Sequence, residues 1–309
     1  MKLFQTIAFL FLSLICFSQT KYGALTVAPS PVGAVDFKLK VAGGLGVTCL
    51  RDGIQLEGAN PDVRLFYSPY SIVLNVNTNN LQKGKASPFI KDTFAYKVAL
   101  QKRILALPKK PVLLVPENEE SNRQNYSGYA IDYINQLKAA ITVGHDLKIP
   151  VTNGGLTYNG LLYSLYSYYL KSNRGSDAKA LQEKTRLQVK NPVVIERGAF
   201  TDSLIAAYAL LKIDVNIHWY QSNTDVSVLQ QMLSMLQARG CVSFLSNEAG
   251  QYHTSPLTIT TLLNSLSGYR FKYVVLYDGT GAGGKAKPFH YKDGSLADNG
   301  KAVHDFISK

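Results

Sequence analysis

Short runs of Val, Leu, Ile and aromatic residues alternate along the chain with longer stretches whose apolar residues recur every three to four positions. The first pattern is that of strands and the second that of amphipathic helices. Eight strand candidates stand out, at residues 24–28, 45–50, 72–76, 112–115, 148–152, 213–219, 241–245 and 273–277. Most are dense in branched apolar residues without clean alternation, as strands covered on both faces are.

Helices fill several of the intervals. Between residues 127 and 143, Ala130, Ile134, Leu137 and Ile141 repeat at helical spacing, and Gly144 follows as a stop. Between residues 225 and 239, Val228, Leu229, Met232, Leu233 and Leu236 make one apolar stripe that Gly240 ends. A last helix spans about 299–307, with Val303, Phe306 and Ile307 facing inward. Eight strands, seven crossovers and a closing helix predict an α/β fold, a (β/α)8 TIM barrel over residues 19–309 as one domain.

An open doubly wound sheet is the competitor, and it carries a Gly-rich turn after its first strand. That place reads Pro29-Ser30-Pro31 here. The Gly-rich segment 279–284 follows the last strand instead, and Pro288 denies it a helix to open, so it reads as a mobile loop. About sixty residues separate the fifth and sixth strands, with Tyr158, Tyr163, Tyr166, Tyr168 and Tyr169 followed by the charged stretch 172–190. They predict a long excursion over the face of the barrel that carries the site.

Residues 1–18 stand apart as a signal peptide. Lys2 precedes an almost wholly apolar run at 3–17, and Cys16-Phe17-Ser18 places cleavage after Ser18. The run is shorter than the ~20 residues of a bilayer span, and no second run follows. The expectation is a secreted protein (periplasmic, cell-surface or extracellular) with no membrane span. Cys49 and Cys241 then remain; export permits a disulfide, but both fall in predicted buried strands, where small apolar side chains are the simpler reading. The formal charge of +12 favours acidic polymers and cell-surface glycans, so an anionic carbohydrate falls within the expected substrate range. The positive residues are nonetheless scattered, with no zinc-finger, helix-turn-helix or aromatic RNA-binding signature, which argues against nucleic acid.

In a (β/α)8 barrel the C-terminal strand ends surround one mouth, so only those positions are searched for chemistry. The second strand ends in Arg51-Asp52, the fourth in Glu117-Asn118-Glu119-Glu120 and the fifth in Asn153. The sixth ends in His218-Trp219-Tyr220, the seventh in Asn247-Glu248 and the eighth in Tyr277-Asp278. Carboxylates therefore project from strands four and seven, across one mouth. Cleavage of a glycosidic bond needs such a pair, one to protonate the departing oxygen and one to meet the oxocarbenium-like centre. The register at strand four leaves Glu117 and Glu120 as alternatives to Glu119.

These motifs, in this order, resemble glycoside hydrolase clan A, whose members are retaining (β/α)8 glycosidases. Asn118-Glu119 matches the clan's Asn-Glu pair at strand four, and Glu248 matches its nucleophile at strand seven. Arg51 matches its basic residue at strand two, and His218-Trp219-Tyr220 its His-x-Tyr at strand six. The resemblance implies Glu119 as general acid/base, Asn118 on the sugar 2-hydroxyl, and Glu248 as nucleophile, kept ionised by Arg51 and oriented by Tyr220. Trp219 and Tyr277 are the implied sugar-stacking side chains, since the clan's usual Trp at strand eight is replaced by Tyr277. No cofactor is implied. The crowded carboxylates at 117–120 predict a raised pKa for Glu119, and the Arg51 guanidinium a lowered one for Glu248.

Other constellations are weaker. His145, His218, His253, His290 and His304 show no paired metal-ligand spacing, so no metal site is expected. A serine-hydrolase Gly-x-Ser-x-Gly elbow is absent from the sequence. The Tyr158–Tyr169 stripe reads as core before sugar shelf, and His253 as either a substrate contact or a loop cap. Two functions follow: a secreted retaining glycoside hydrolase acting on a poly- or oligosaccharide, or a noncatalytic glycan-binding barrel of a surface uptake system. Carboxyl side chains pointing apart would favour the second.

Overall fold

The computed structural model describes residues 20–57, 63–78, 86–221, 226–279 and 286–309. The proposed signal peptide and most of the Gly-rich 279–284 segment lie outside the described residues. The elements in chain order are β1 (Lys21–Thr26), α1 (Ala34–Leu45), β2 (Cys49–Gln55), a short 3-10 turn (Val63–Tyr67), β3 (Ser71–Asn77), α2 (Thr93–Leu105), β4 (Leu113–Pro116), α3 (Ala130–Leu147), α4 (Tyr158–Lys171), α5 (Gly175–Thr185), α6 (Pro192–Leu211), β5 (Val215–Asn216), β6 (Trp219–Gln221), α7 (Ser227–Ala238), β7 (Phe244–Gln251), α8 (Pro256–Gly268), β8 (Tyr273–Asp278) and α9 (Asp298–Ile307).

The strands pair in parallel in the order β4-β3-β2-β1-β8-β7-β5, with β6 also on β7. Residues 150–156 close the circle. The Leu114 N–H donates to the Pro150 carbonyl (2.9 Å) and the Thr152 N–H to Leu114 (3.0 Å). On the other side the Leu156 N–H donates to Asn216 (2.9 Å) and the His218 N–H to Leu156 (3.0 Å). The result is the expected (β/α)8 barrel.

Several boundaries differ from the sequence expectation, each for a local reason. The second strand begins at Cys49, because Leu45 ends α1 and Gly46 caps it in the left-handed region at φ 74°. Arg51 is therefore the third residue of β2 rather than near its end. The fifth strand is reduced to two isolated bridges, at Val151 and Leu156. The sixth is split into β5 and β6, with His218 in the break. The seventh runs on to Gln251, and a register shift against β8 between Ser246 and Ala249 puts Asn247 and Glu248 in a bulge.

The presumed excursion is three helices, α4 to α6, which pack on one another and on α3 and α7. Tyr169 is buried there, whereas Tyr163, Tyr166 and Tyr168 pack half-buried on the core. Asn191 caps α6 by accepting from the Val193 N–H (2.9 Å), and Pro192 occupies its first turn. Cys49 and Cys241 are buried and unpaired, and burial pushes the Cys49 thiol up to about 12. Among the described residues no helix is long and apolar enough to cross a membrane.

Strand alternation places the site. Cys49, Val73, Leu113, Val115, Leu245 and Val275 pack together as an apolar plug separate from the larger core between strands and helices. Two residues farther along the same strands stand Arg51, Asn75, Asn247 and Tyr277. Since side chains repeat a face every second residue, these polar groups form the layer directly above the plug.

Candidate active site

β4 ends at Pro116, and the chain then turns through two left-handed non-glycine residues, Glu117 (φ 62°) and Glu119 (φ 47°). Such backbone costs about 1–3 kcal/mol per residue and persists only where its surroundings hold it. Here the hold is Glu117. Its N–H donates to Val76 (2.9 Å), and its carbonyl accepts from Asn75 Nδ2 (2.9 Å). Its buried carboxyl accepts from Gln136 Nε2 (2.6 Å) and the Thr78 N–H (3.2 Å). Glu120 is buried too, accepting from Tyr208 Oη (2.5 Å) and Asn153 Nδ2 (3.0 Å). Burial raises the pKa of both carboxyls. They are structural, and the alternation between them turns Glu119 alone to the mouth.

Glu119 and Glu248 face each other there, with side-chain exposures of 22% and 14%. One carboxylate oxygen of each and His218 Nδ1 all lie within 4.8 Å of one another. Glu119 Oε2 accepts from Asn122 Nδ2 and Asn125 Nδ2, both at 2.9 Å. Glu248 Oε2 accepts from Arg51 Nη1 (2.6 Å) and Oε1 from Tyr220 Oη (2.7 Å). The Arg51 guanidinium also donates to Asn118 Oδ1 (2.6 Å) and the Asn247 carbonyl (3.0 Å), tying strands two, four and seven together. Arg51, Asn118, His218 and Tyr220 thus converge as expected, with Tyr277 tilted against Tyr220 at 6.2 Å between centroids.

Trp219 does not join them as a stacking platform. It is 3% exposed and meets the Tyr158 ring edge-on at 5.5 Å, leaving no face for a sugar. Tyr252, which sequence reasoning missed, stacks on Tyr220 at 5.4 Å and 12° between planes. It supplies a second half-buried ring beside the carboxylates. His253 is exposed just beyond it.

The expected split in acidity is half right. Burial acts to raise both carboxyls. At Glu248 the charges of His218 and Arg51 outweigh it, so its pKa is lowered. At Glu119 the hydrogen bond and charge of His218, with Asn122 and Arg197, win as well and hold it at about 2. The acidic cluster fails to raise Glu119 because burial raises the pKa of its neighbours Glu117 and Glu120, which favours their uncharged forms, whereas His218 is in direct contact.

The same three groups have the spacing of metal ligands. Arg51 already supplies positive charge to Glu248 at 2.6 Å and would repel a cation placed between them.

Beneath the carboxylates runs a ladder of buried asparagines. Asn75 Oδ1 accepts from Arg51 Nε (2.7 Å) and Asn247 Nδ2 (3.0 Å). Asn247 Oδ1 accepts from Asn216 Nδ2 (2.7 Å) and meets His218 Nε2 (2.8 Å). Asn216 in turn exchanges hydrogen bonds with Asn153. A single polar residue inside an apolar strand, as in Ile-Val-Leu-Asn75-Val, was the available signal for Asn75 and Asn216, whereas Asn153 and Asn247 already stood at predicted strand ends.

Gly155 closes the floor at φ 124°, where an added Cβ would stand 2.1 Å from His218 Nε2. Gly155→Ala is therefore expected to destabilise the protein by about 3 kcal/mol through strain and overpacking together. Denaturant titration against the unsubstituted protein measures this, and a change below about 0.5 kcal/mol contradicts the close packing.

No protein-family model matches the chain, and no curated protein matches it by sequence. Solved structures do. A family 128 (subgroup II) endo-β-1,3-glucanase from Sorangium cellulosum matches with a TM-score of 0.55 at 14% identity, over 92% of this chain and 97% of that one. The chain has the fold of a (β/α)8 glycoside hydrolase.

Two further matches carry the same fold. A mutant subgroup I endo-β-1,3-glucanase from Amycolatopsis mediterranei, in complex with laminaripentaose, matches at a TM-score of 0.53 and 13% identity, over 92% of this chain and 98% of that chain. A family 39 glycoside hydrolase from Bacteroides cellulosilyticus WH2 matches at a TM-score of 0.57 and 13% identity, over 94% of this chain and 64% of that one. At the level of fold, the resemblance to the clan A barrels holds.

Proposed function

We propose that the protein is a retaining glycoside hydrolase that cleaves a poly- or oligosaccharide by double displacement, after export and removal of residues 1–18. One observation carries this reading: carboxylate oxygens of Glu119 and Glu248 lie within 4.8 Å of each other. Retaining enzymes hold their two carboxyl groups about 5–5.5 Å apart, whereas inverting ones leave about 6.5–9.5 Å for a water. Glu248, paired with Arg51 and Tyr220, is the nucleophile. Glu119 protonates the leaving oxygen and then activates water. Tyr252 and Tyr277 offer rings to the sugar, and the Asn118 NH2 remains available to a hydroxyl, its oxygen being held by Arg51.

A noncatalytic glycan-binding barrel is disfavoured because the two side chains point at each other rather than apart. The β-1,3-glucanase activity of two structural neighbours makes laminari-oligosaccharides the first substrates to try. Proton NMR of a fresh digest of laminaripentaose is expected to show the new reducing end first in the β configuration of the substrate. Initial release of the α anomer would overturn double displacement. If neither this glucan nor a wider polysaccharide panel is cut, the hydrolase reading fails.

A further inference from the structure

Glu119 as acid poses a question that the geometry answers. In the free protein His218 holds this carboxyl at about 2, so at neutral pH it carries no proton to give. The proton is found by following the asparagine ladder. Arg51 Nε can only donate, so the Asn75 side-chain atom facing it is oxygen. That oxygen also faces an atom of the Asn247 amide, which must therefore be nitrogen. Asn247 then presents oxygen to His218 Nε2, which must bear hydrogen. Every step agrees with the Asn75 NH2 reaching the Glu117 carbonyl and the Asn216 NH2 reaching Asn153.

With Nε2–H committed and Glu119 a carboxylate whose Oε2 accepts from both Asn122 and Asn125, a neutral His218 would aim the Nδ1 lone pair at Glu119 Oε1 (3.3 Å) and Glu248 Oε2 (4.0 Å), acceptor against acceptors. The contact is favourable only with a proton on it. Resting on the hydrolase reading above, we infer that His218 is a positioning residue that stores, on Nδ1, the proton Glu119 delivers to the glycosidic oxygen.

The accounting closes on zero charge at each stage. At rest His218 and Arg51 are cations, while Glu119 and Glu248 are anions. The proton passes from Nδ1 to Glu119 Oε1 and on to the departing oxygen as the anomeric C–O bond breaks and a Glu248 oxygen bonds to that carbon. His218 is then neutral, Glu119 is an anion, and Glu248 is an uncharged ester. Water next gives its hydroxide to the anomeric carbon and its proton to Glu119, the ester bond breaks to restore the Glu248 carboxylate, and the proton returns to Nδ1. A buried mouth penalises net charge, so this neutrality lowers the cost of every step. The other titratable groups near the imidazole are Arg51, which opposes its charge, and buried Glu120. Tyr220, two residues farther along the chain in β6, is committed to Glu248. Burial lowers the imidazole pKa, but the two facing carboxylates outweigh it and the net shift is upward.

Nitrogen-15 NMR of histidine-labelled protein reads the stored proton without turnover, His218 being assigned by its loss in His218→Asn. Both ring nitrogens are expected to be protonated at pH 7, above the ordinary value of about 6.5. A ring protonated only at Nε2 overturns the inference. Kinetics give the second arm, since asparagine places an amide donor near Nδ1 but cannot store a proton. For His218→Asn, kcat on laminaripentaose is expected to fall about 100-fold at pH 7, and the alkaline limb of its pH profile to move at least about one unit toward acid. Activity on 2,4-dinitrophenyl β-laminaribioside, whose leaving group needs no proton, should stay within about threefold. Equal losses on both substrates with an unmoved limb indicate a purely structural histidine and overturn the inference. An inactive wild-type protein overturns the hydrolase reading, while the NMR result still decides where the proton rests.

Discussion

Glu248→Gln is expected to lower turnover of laminaripentaose by about 10,000-fold or more, because the amide cannot form the glycosyl ester on which double displacement depends. The substitution is nearly isosteric, and its oxygen can still accept from Arg51 Nη1, which keeps the buried guanidinium partnered. The fold should therefore survive, and a thermal melt recorded beside the assay separates lost chemistry from lost structure. The unsubstituted protein incubated with a 2-deoxy-2-fluoro β-laminaribiosyl fluoride should gain the mass of one fluoroglycosyl group, on the peptide containing Glu248. Turnover within about tenfold of the parent after the substitution would remove Glu248 from the mechanism.

The second large effect belongs to Glu119→Gln, and it depends on the leaving group. On laminaripentaose, where the departing sugar oxygen must be protonated, the loss is expected to be about 100- to 10,000-fold. With the 2,4-dinitrophenyl glycoside the first step needs no acid. The glycosyl-enzyme should then accumulate, because no base remains to activate water. Azide, which needs no base, should restore turnover and yield the β-glycosyl azide. An α-azide would point to a single displacement, and equal loss of kcat/KM on both substrates would reassign Glu119 to a structural role. This substitution also removes one of the two carboxylates that raise the His218 pKa. The imidazolium should accordingly lose its proton at lower pH than in the parent, a shift visible in the same nitrogen-15 spectra.

Two asymmetries around the carboxylates have physical consequences for these tests. Glu248 is gripped at both oxygens, by Arg51 and Tyr220. Glu119 instead keeps Oε2 on two asparagine amides and leaves Oε1 to the imidazole, so one oxygen is free to exchange a proton. A nucleophile benefits from fixed orientation, and a proton carrier from a single labile contact. The strained turn through Glu117 and Glu119 serves this arrangement, with a buried carboxyl holding the backbone that aims the working one.

Apolar runs alternating with helical stripes specified the (β/α)8 barrel, because a strand covered on both faces and a helix covered on one differ in periodicity. The same pattern marked the strand ends, with Glu117, Glu119 and Glu120 left open at strand four, and the resemblance to clan A then singled out Glu119, Glu248, Arg51, Asn118, His218, Trp219, Tyr220 and Tyr277 among them. What it could not reveal depends on contacts between residues far apart in the chain. The β7 bulge at Asn247 and Glu248 is a register shift against β8, and register is a property of two strands rather than one. Trp219 is buried and meets Tyr158, from a helix whose docking no local signal predicts. Most of all, the acidity of Glu119 follows from an imidazole 99 positions away at 3.3 Å, which outweighs the adjacent carboxyls because burial favours their uncharged forms. Sequence determines which groups are available at the mouth; electrostatics over a few ångströms, set by packing, decides which of them holds the proton.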